Sequence, residues 1–103
     1  MNPQIVIALY KPHEGKDAEL RALIDQQAST LRKLEFITDR PGVLARSKNG
    51  TYIEIFEWRD SRPAHEHPEV ARIWGAMEQV ADLPSLDSVE EASRIFPYFA
   101  PIG

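Results

Sequence analysis

The chain has 103 residues, with 12 Lys or Arg against 16 Asp or Glu for a formal net charge of −4, and 43% of it is hydrophobic. That length holds a single domain, residues 1–103, with one modest core, and the acidic balance disfavours gripping nucleic acid or an anionic membrane surface. The absence of cysteine excludes disulfides, thiolate metal ligands and a cysteine nucleophile. The longest apolar run, Ile5 to Tyr10, is far shorter than the roughly 20 residues of a membrane span. Met1-Asn2-Pro3-Gln4 lacks the basic start of a secretion signal, so a cytoplasmic protein is expected.

Gln4 to Tyr10 is rich in β-branched residues and stopped by Pro12; it reads as a strand buried on both faces. From Gly15 to Leu34 apolar residues recur at Leu20, Leu23, Ile24, Leu31 and Leu34, the stripe of a helix packed along one side. Its acidic first turn (Asp17, Glu19) and basic last turn (Arg32, Lys33) suit the helix dipole. Pro41-Gly42 opens a second extended segment, Val43 to Ser47, and Asn49-Gly50 reads as a two-residue hairpin turn because both residues tolerate positive φ. Tyr52 to Trp58 is the clearest strand, dominated by aromatic and β-branched residues.

A polar stretch, Arg59 to His67, leads to Pro68, which suits a first helical position. Val70, Ile73, Trp74, Met77 and Val80 then share one helical face, and Asp82 and Pro84 end that helix. Leu86 to Arg94 reads as a short third helix capped by Asp87 or Ser88. Ile95 to Ile102 reads as a last strand, which Pro97 and Pro101 restrict to an edge or a partner-facing position. The expected fold is α+β, a ferredoxin-like βαββαβ order with both helices on one face of an antiparallel sheet.

Strand alternation sorts the two faces of that sheet. Ile53 and Ile55 point one way, with Leu44, and are assigned to the helix side. Tyr52, Glu54, Phe56 and Trp58 point the other way; a two-residue turn sets them opposite Ser47, Ala45 and Val43. An aromatic face left open to water is a patch that monomers avoid, so it is expected to pack on the same face of a second copy in a homodimer. The small residues beside the rings leave room for a ligand between the paired sheets.

The element order, the strand Tyr52-Ile53-Glu54-Ile55-Phe56-Glu57-Trp58 and the stretch Ala64-His65-Glu66-His67-Pro68-Glu69-Val70 leading into Ile73-Trp74 together resemble the dimeric α+β barrel superfamily. Within it the chain most resembles antibiotic biosynthesis monooxygenase-like domains, from Ile5 to Ile102. The resemblance implies two ferredoxin-like protomers joined into a barrel, each with a pocket between sheet and helices. It also implies oxygenation of a small aromatic substrate with no metal or other cofactor. The haem-degrading branch is resembled less, because no histidine follows Trp74.

Glu54 is the candidate general base: a carboxylate on an aromatic strand face has its pKa raised by apolar surroundings, unless it sits at a rim or pairs with Arg46 or Arg40. His67 is the second candidate catalytic residue, or else its ring caps the helix that Pro68 begins. His65, Glu66 and His67 form a poor metal set, since no third histidine lies near and His13 is remote in sequence. Tyr10, Tyr52, Phe56, Trp58, His65 and Trp74 are the candidate substrate contacts; each is equally readable as ordinary sheet or core packing, as Met77 is. The rival function is a non-catalytic homodimer that binds a small apolar molecule.

Overall fold

A computed structural model of the chain describes residues 3–102. Eight elements follow in order: β1 (Gln4–Pro12), α1 (Asp17–Lys33), β2 (Val43–Arg46), β3 (Tyr52–Trp58), α2 (Arg62–Glu66), α3 (Pro68–Val80), β4 (Ala81–Asp82) and β5 (Ala100–Pro101). The strands form one five-stranded sheet in the order β4-β1-β3-β2-β5, with every neighbouring pair antiparallel. The helices lie on one face of it. No helix among the described residues is long and apolar enough to cross a membrane.

The helical stripes pack as their spacing predicts. Leu20, Ile24 and Leu31 of α1 and Val70, Ile73, Met77 and Val80 of α3 are buried. One position in the α1 stripe is polar: Gln27, itself buried. His67 caps α3, its Nδ1 accepting from the Glu69 N–H at 3.1 Å with Pro68 at the first position, so the capping alternative for this histidine holds. Helix α1 ends with Glu35 at φ 60°, where its N–H meets Arg32 O and the Phe36 N–H meets Leu31 O, both at 3.0 Å. This is a Schellman ending built on a glutamate, in a conformation glycine would adopt without strain.

Three expectations need correction. The hairpin turn has three residues, Lys48, Asn49 and Gly50: the Ser47 N–H bonds Thr51 O at 2.8 Å, the Gly50 N–H bonds Ser47 O at 3.0 Å, and Gly50 has φ 91°. A left-handed glycine closing such a loop makes a bulge that two-residue turns lack. The register therefore shifts by one, placing Val43 opposite Ile55, Leu44 opposite Glu54 and Ala45 opposite Ile53.

The second correction concerns which face is covered. Tyr52, Glu54 and Phe56 lie beneath the helices with Val6, Ala8 and Tyr10 of β1, not on the open face. Alternation tells which residues share a side but not which side is inside, and here both sides are largely apolar. The other face is aliphatic: Leu9 and Ile53 pack against Val89 and Phe99 of the C-terminal segment, while Ile5, Ile7 and Val43 remain about half exposed. Gln4–Tyr10 is thus covered by the helices on one side, while on the other Leu9 is buried under the C-terminal segment and Ile5 and Ile7 stay about half exposed, so the strand is not buried on both faces along its length.

The third concerns connections. α2 forms inside the stretch read as polar loop, α3 stops at Val80 so that Ala81–Asp82 pair with Lys11–Pro12, and Leu86–Arg94 is two 3-10 turns, Leu86–Ser88 and Glu90–Ser93. The last strand shrinks to Ala100–Pro101, at the edge beside β2. Glu91 fastens this tail: its buried carboxylate accepts from Ser47 Oγ at 2.7 Å and the Lys48 N–H at 3.0 Å, bonds that hold its pKa below the usual range.

Candidate functional site

The covered face of the sheet carries a connected polar group. Tyr10 comes from β1, Gln27 from α1, Glu54 from β3 and Trp74 from α3. The Trp74 indole N–H donates to Gln27 Oε1 at 2.6 Å, and since indole is a donor only, this bond fixes which end of the amide is oxygen. Gln27 Nε2 then donates to Glu54 Oε1 at 2.8 Å and to Tyr10 Oη at 3.0 Å. Tyr10 Oη donates to the same Oε1 at 2.8 Å.

Glu54 is 7% exposed. Burial pushes its pKa up to about 7, against the opposing effect of the bond from Tyr10, with Asp25 adding repulsion and Gln27 relief. Tyr10 is raised above the ordinary phenol range, chiefly by burial and then by the Glu54 charge. Neither expected arginine pairs with Glu54: Arg46 bonds Asp17 and Arg40 bonds Glu57 at 3.1 Å. The carboxylate is held by neutral donors instead. Such a group takes up or gives up a proton near neutrality, the property a general base needs.

Beside this network a cleft of about 430 Å³ opens between the sheet and α3. Its walls include Tyr10, Phe56, Trp58, His65 and Trp74, five of the eight residues singled out in the sequence. Ala8, opposite Glu54 in the β1–β3 pair, leaves space next to the Tyr10 ring. The His65 ring meets the Trp74 ring edge-on at 5.0 Å, and Phe56 and Trp58 meet likewise at 5.0 Å. The cleft is mainly apolar, with its polar atoms supplied by few side chains, as small-molecule pockets are.

The remaining three residues lie elsewhere. Tyr52 is buried at the far end of the same face, where its hydroxyl meets both Asp17 carboxylate oxygens at 3.0 Å and its ring lies under the Arg46 guanidinium at 4.6 Å. His67 packs its ring against Phe36 at 5.8 Å and gives its Nδ1 to the helix cap, and it is not a wall residue of the cleft. Glu54 reaches the cleft only through Tyr10 and Gln27. The residue that sequence reading missed is Gln27. Its signal was present: a polar side chain on an otherwise apolar helical stripe, which buries well only if polar partners face it.

No cluster of three or more His, Cys, Asp or Glu side chains suited to a metal ion occurs among the described residues. The chain matches no protein-family model, no curated protein and no solved structure. What the architecture defines is a compact α+β protein with one five-stranded antiparallel sheet and three helices. Because folds of this kind host many chemistries, function has to come from the site.

Proposed function

We propose that the protein is a cofactor-independent monooxygenase acting on a small, acidic aromatic molecule held in the 430 Å³ cleft. The observation that carries this reading is the buried Glu54 carboxylate, its pKa raised to about 7, joined by hydrogen bond to the hydroxyl of Tyr10, a residue that lines the cleft. The aromatic walls suit a planar apolar ligand, and the Tyr10 and Gln27 groups suit its ionisable end. Removing a proton from such a molecule leaves an electron-rich carbanion that molecular oxygen attacks directly. One oxygen atom then becomes a ring carbonyl, and the other leaves as water with the two hydrogens lost from that carbon.

Oxygen uptake with dihydroxyanthrone tests this. The wild-type rate should exceed that of Glu54→Gln by about 100-fold, the usual contribution of a positioned base. Wild-type uptake no faster than the variant's sinks the oxygenase reading, and ligand-induced thermal stabilisation without uptake would point to binding alone.

The fold reading is ferredoxin-like, supported by the β4-β1-β3-β2 run of the sheet and the alternation of strands with α1 and α3. The assembly reading is a homodimer forming an α+β barrel, now through the aliphatic face in place of the aromatic one. Supporting it are half-exposed Ile5, Ile7 and Val43, a groove of about 390 Å³ beside them, and the exposed side chains of Ile95, Phe96 and Tyr98. Leaving that surface wet is unfavourable, and a second copy offers the same surface in return. Sedimentation should give a dimer for the wild type at micromolar concentration and a folded monomer for Ile7→Arg. A monomeric wild type would end this reading.

A further inference from the structure

Glu54 is approached from two sides. Its Oε1 accepts from both Tyr10 and Gln27. Its Oε2 has no hydrogen-bond partner among the described residues, and Glu54 lines a second cleft, of about 300 Å³, between α1 and β2. Arg21, Asp25 and Arg32 of α1 and Leu44 of β2 are other walls of that cleft. Tyr10 and Gln27 line the first cleft and not the second; Glu54 lines the second and not the first. The hydrogen-bonded cross-piece therefore spans the wall between two separate openings.

We propose that Tyr10, not Glu54, takes the proton from the molecule bound in the first cleft, passing its own proton to Glu54, and that the second cleft is the port through which Glu54 exchanges that proton with solvent. This rests on the oxygenase reading above. The hydrogen bonds are oriented for it. Tyr10 Oη receives one from Gln27 and donates one to Glu54, which leaves a lone pair free for an incoming proton. As the substrate's acidic bond to hydrogen breaks, a new O–H bond forms at Tyr10 Oη. The old Tyr10 O–H bond breaks together with it, and its proton becomes the Glu54 Oε1 hydrogen. Substrate becomes an anion and Glu54 becomes neutral; nothing is oxidised or reduced in this step.

The electrostatics agree with a concerted exchange. With its pKa raised, Tyr10 resists standing as a free phenolate, so it accepts a proton only while giving one away. A half-turn of the neutral carboxyl then presents its proton to the second cleft. The charged groups at that exit are Asp25, Arg21 and Arg32; Arg21 and Asp25 pair at 3.4 Å. β2 presents apolar Leu44, and α3 is linked to Glu54 through the Trp74–Gln27 bond.

The test is dihydroxyanthrone-dependent oxygen uptake by the wild type, Tyr10→Phe, Glu54→Gln, the double variant and Ala28→Phe, with thermal melts confirming that each is folded. Ala28 lines the second cleft and not the first. Tyr10→Phe and Glu54→Gln should each lose about 100-fold in kcat, and the double variant no more than either, because the two residues act as one unit. The wild-type rise of kcat/KM through about pH 7 should vanish in Tyr10→Phe. Ala28→Phe should lower kcat at unchanged KM. A Tyr10→Phe variant with the wild-type rate and pH profile, beside inactive Glu54→Gln, overturns the relay alone and makes the carboxylate the direct base. A folded Ala28→Phe with unchanged kcat overturns the port. No uptake by the wild type overturns the oxygenase reading and the relay with it.

Discussion

Glu54→Gln should unfold at a higher temperature than the wild type at pH 8 and at the same temperature at pH 4. Glu54 has a folded pKa of about 7 against an ordinary value of 4.5, so the native state binds a proton more tightly than the unfolded chain does. The sign follows from linkage: wild-type stability is full below the unfolded value, falls as pH rises, and reaches its lower plateau above the folded value. The separation corresponds to about 3 kcal/mol, or roughly 10 °C or more in a domain of this size. Glutamine keeps the acceptor that Tyr10 and Gln27 use and carries no charge at any pH, so it avoids the penalty. Melting curves for both proteins between pH 4 and pH 8.5 check this. Parallel curves would mean that the carboxyl is not desolvated. On the proposed oxygenase reading the same substitution should lower oxygen uptake by about 100-fold, a trade of activity against stability.

Gln27→Met should act in the opposite direction. Methionine matches the glutamine in length and fills the same space in the α1 stripe, but offers no donor. It leaves the Trp74 indole N–H without its acceptor and removes one donor each from Tyr10 Oη and Glu54 Oε1. A buried polar group stripped of its partner costs about 1–3 kcal/mol, and the loss here should total about 2–4 kcal/mol. Because the amide bond lowers the Glu54 pKa, its removal should also move that midpoint above 7. Urea unfolding gives the first quantity and carboxyl-carbon NMR titration the second. A loss under about 0.5 kcal/mol would show that Gln27 is not the hub of the network.

Much of this architecture is written in simple periodicities. Leu20, Ile24 and Leu31 announce one helix, Val70, Ile73 and Met77 another, and Pro68 marks the start of the second. The aromatic run from Tyr52 to Trp58 announces a strand. What periodicity does not carry is polarity across the sheet. Ile53 and Ile55 look more like core than Tyr52, Glu54 and Phe56 do, because burying a carboxylate is unfavourable unless donors surround it. Those donors lie on other elements, 44 and 27 positions away at Tyr10 and Gln27, so the local pattern points the wrong way. The hairpin misled for a related reason. Asn49-Gly50 is a common two-residue turn, but here Asn49 Oδ1 accepts the Thr51 N–H at 3.0 Å and stabilises a loop one residue longer.

The site was partly legible. A carboxylate on an aromatic strand points to Glu54 and a strand hydroxyl to Tyr10, and the two form one hydrogen-bonded unit. Of the two roles open to His67 in the sequence, base or helix cap, the structure shows the cap, its Nδ1 engaged by the Glu69 N–H. Tyr52 shares a strand face with Glu54, but its hydroxyl is claimed by Asp17. The His67 partner is the one its capping alternative expects, two positions on, whereas the Tyr52 partner lies 35 positions away, beyond the reach of a local pattern.

The cross-piece beneath α1 also shapes how quickly the molecule comes apart. Its four bonds link residues 17, 27, 44 and 47 positions distant, so it closes only after the sheet and both long helices have met. Stripping water from Glu54 then belongs to the downhill side of the folding barrier. Alkali should accordingly accelerate escape from the native basin while leaving the refolding limb of a stopped-flow chevron nearly level; a refolding limb that moves with pH instead would place the carboxylate inside the nucleus.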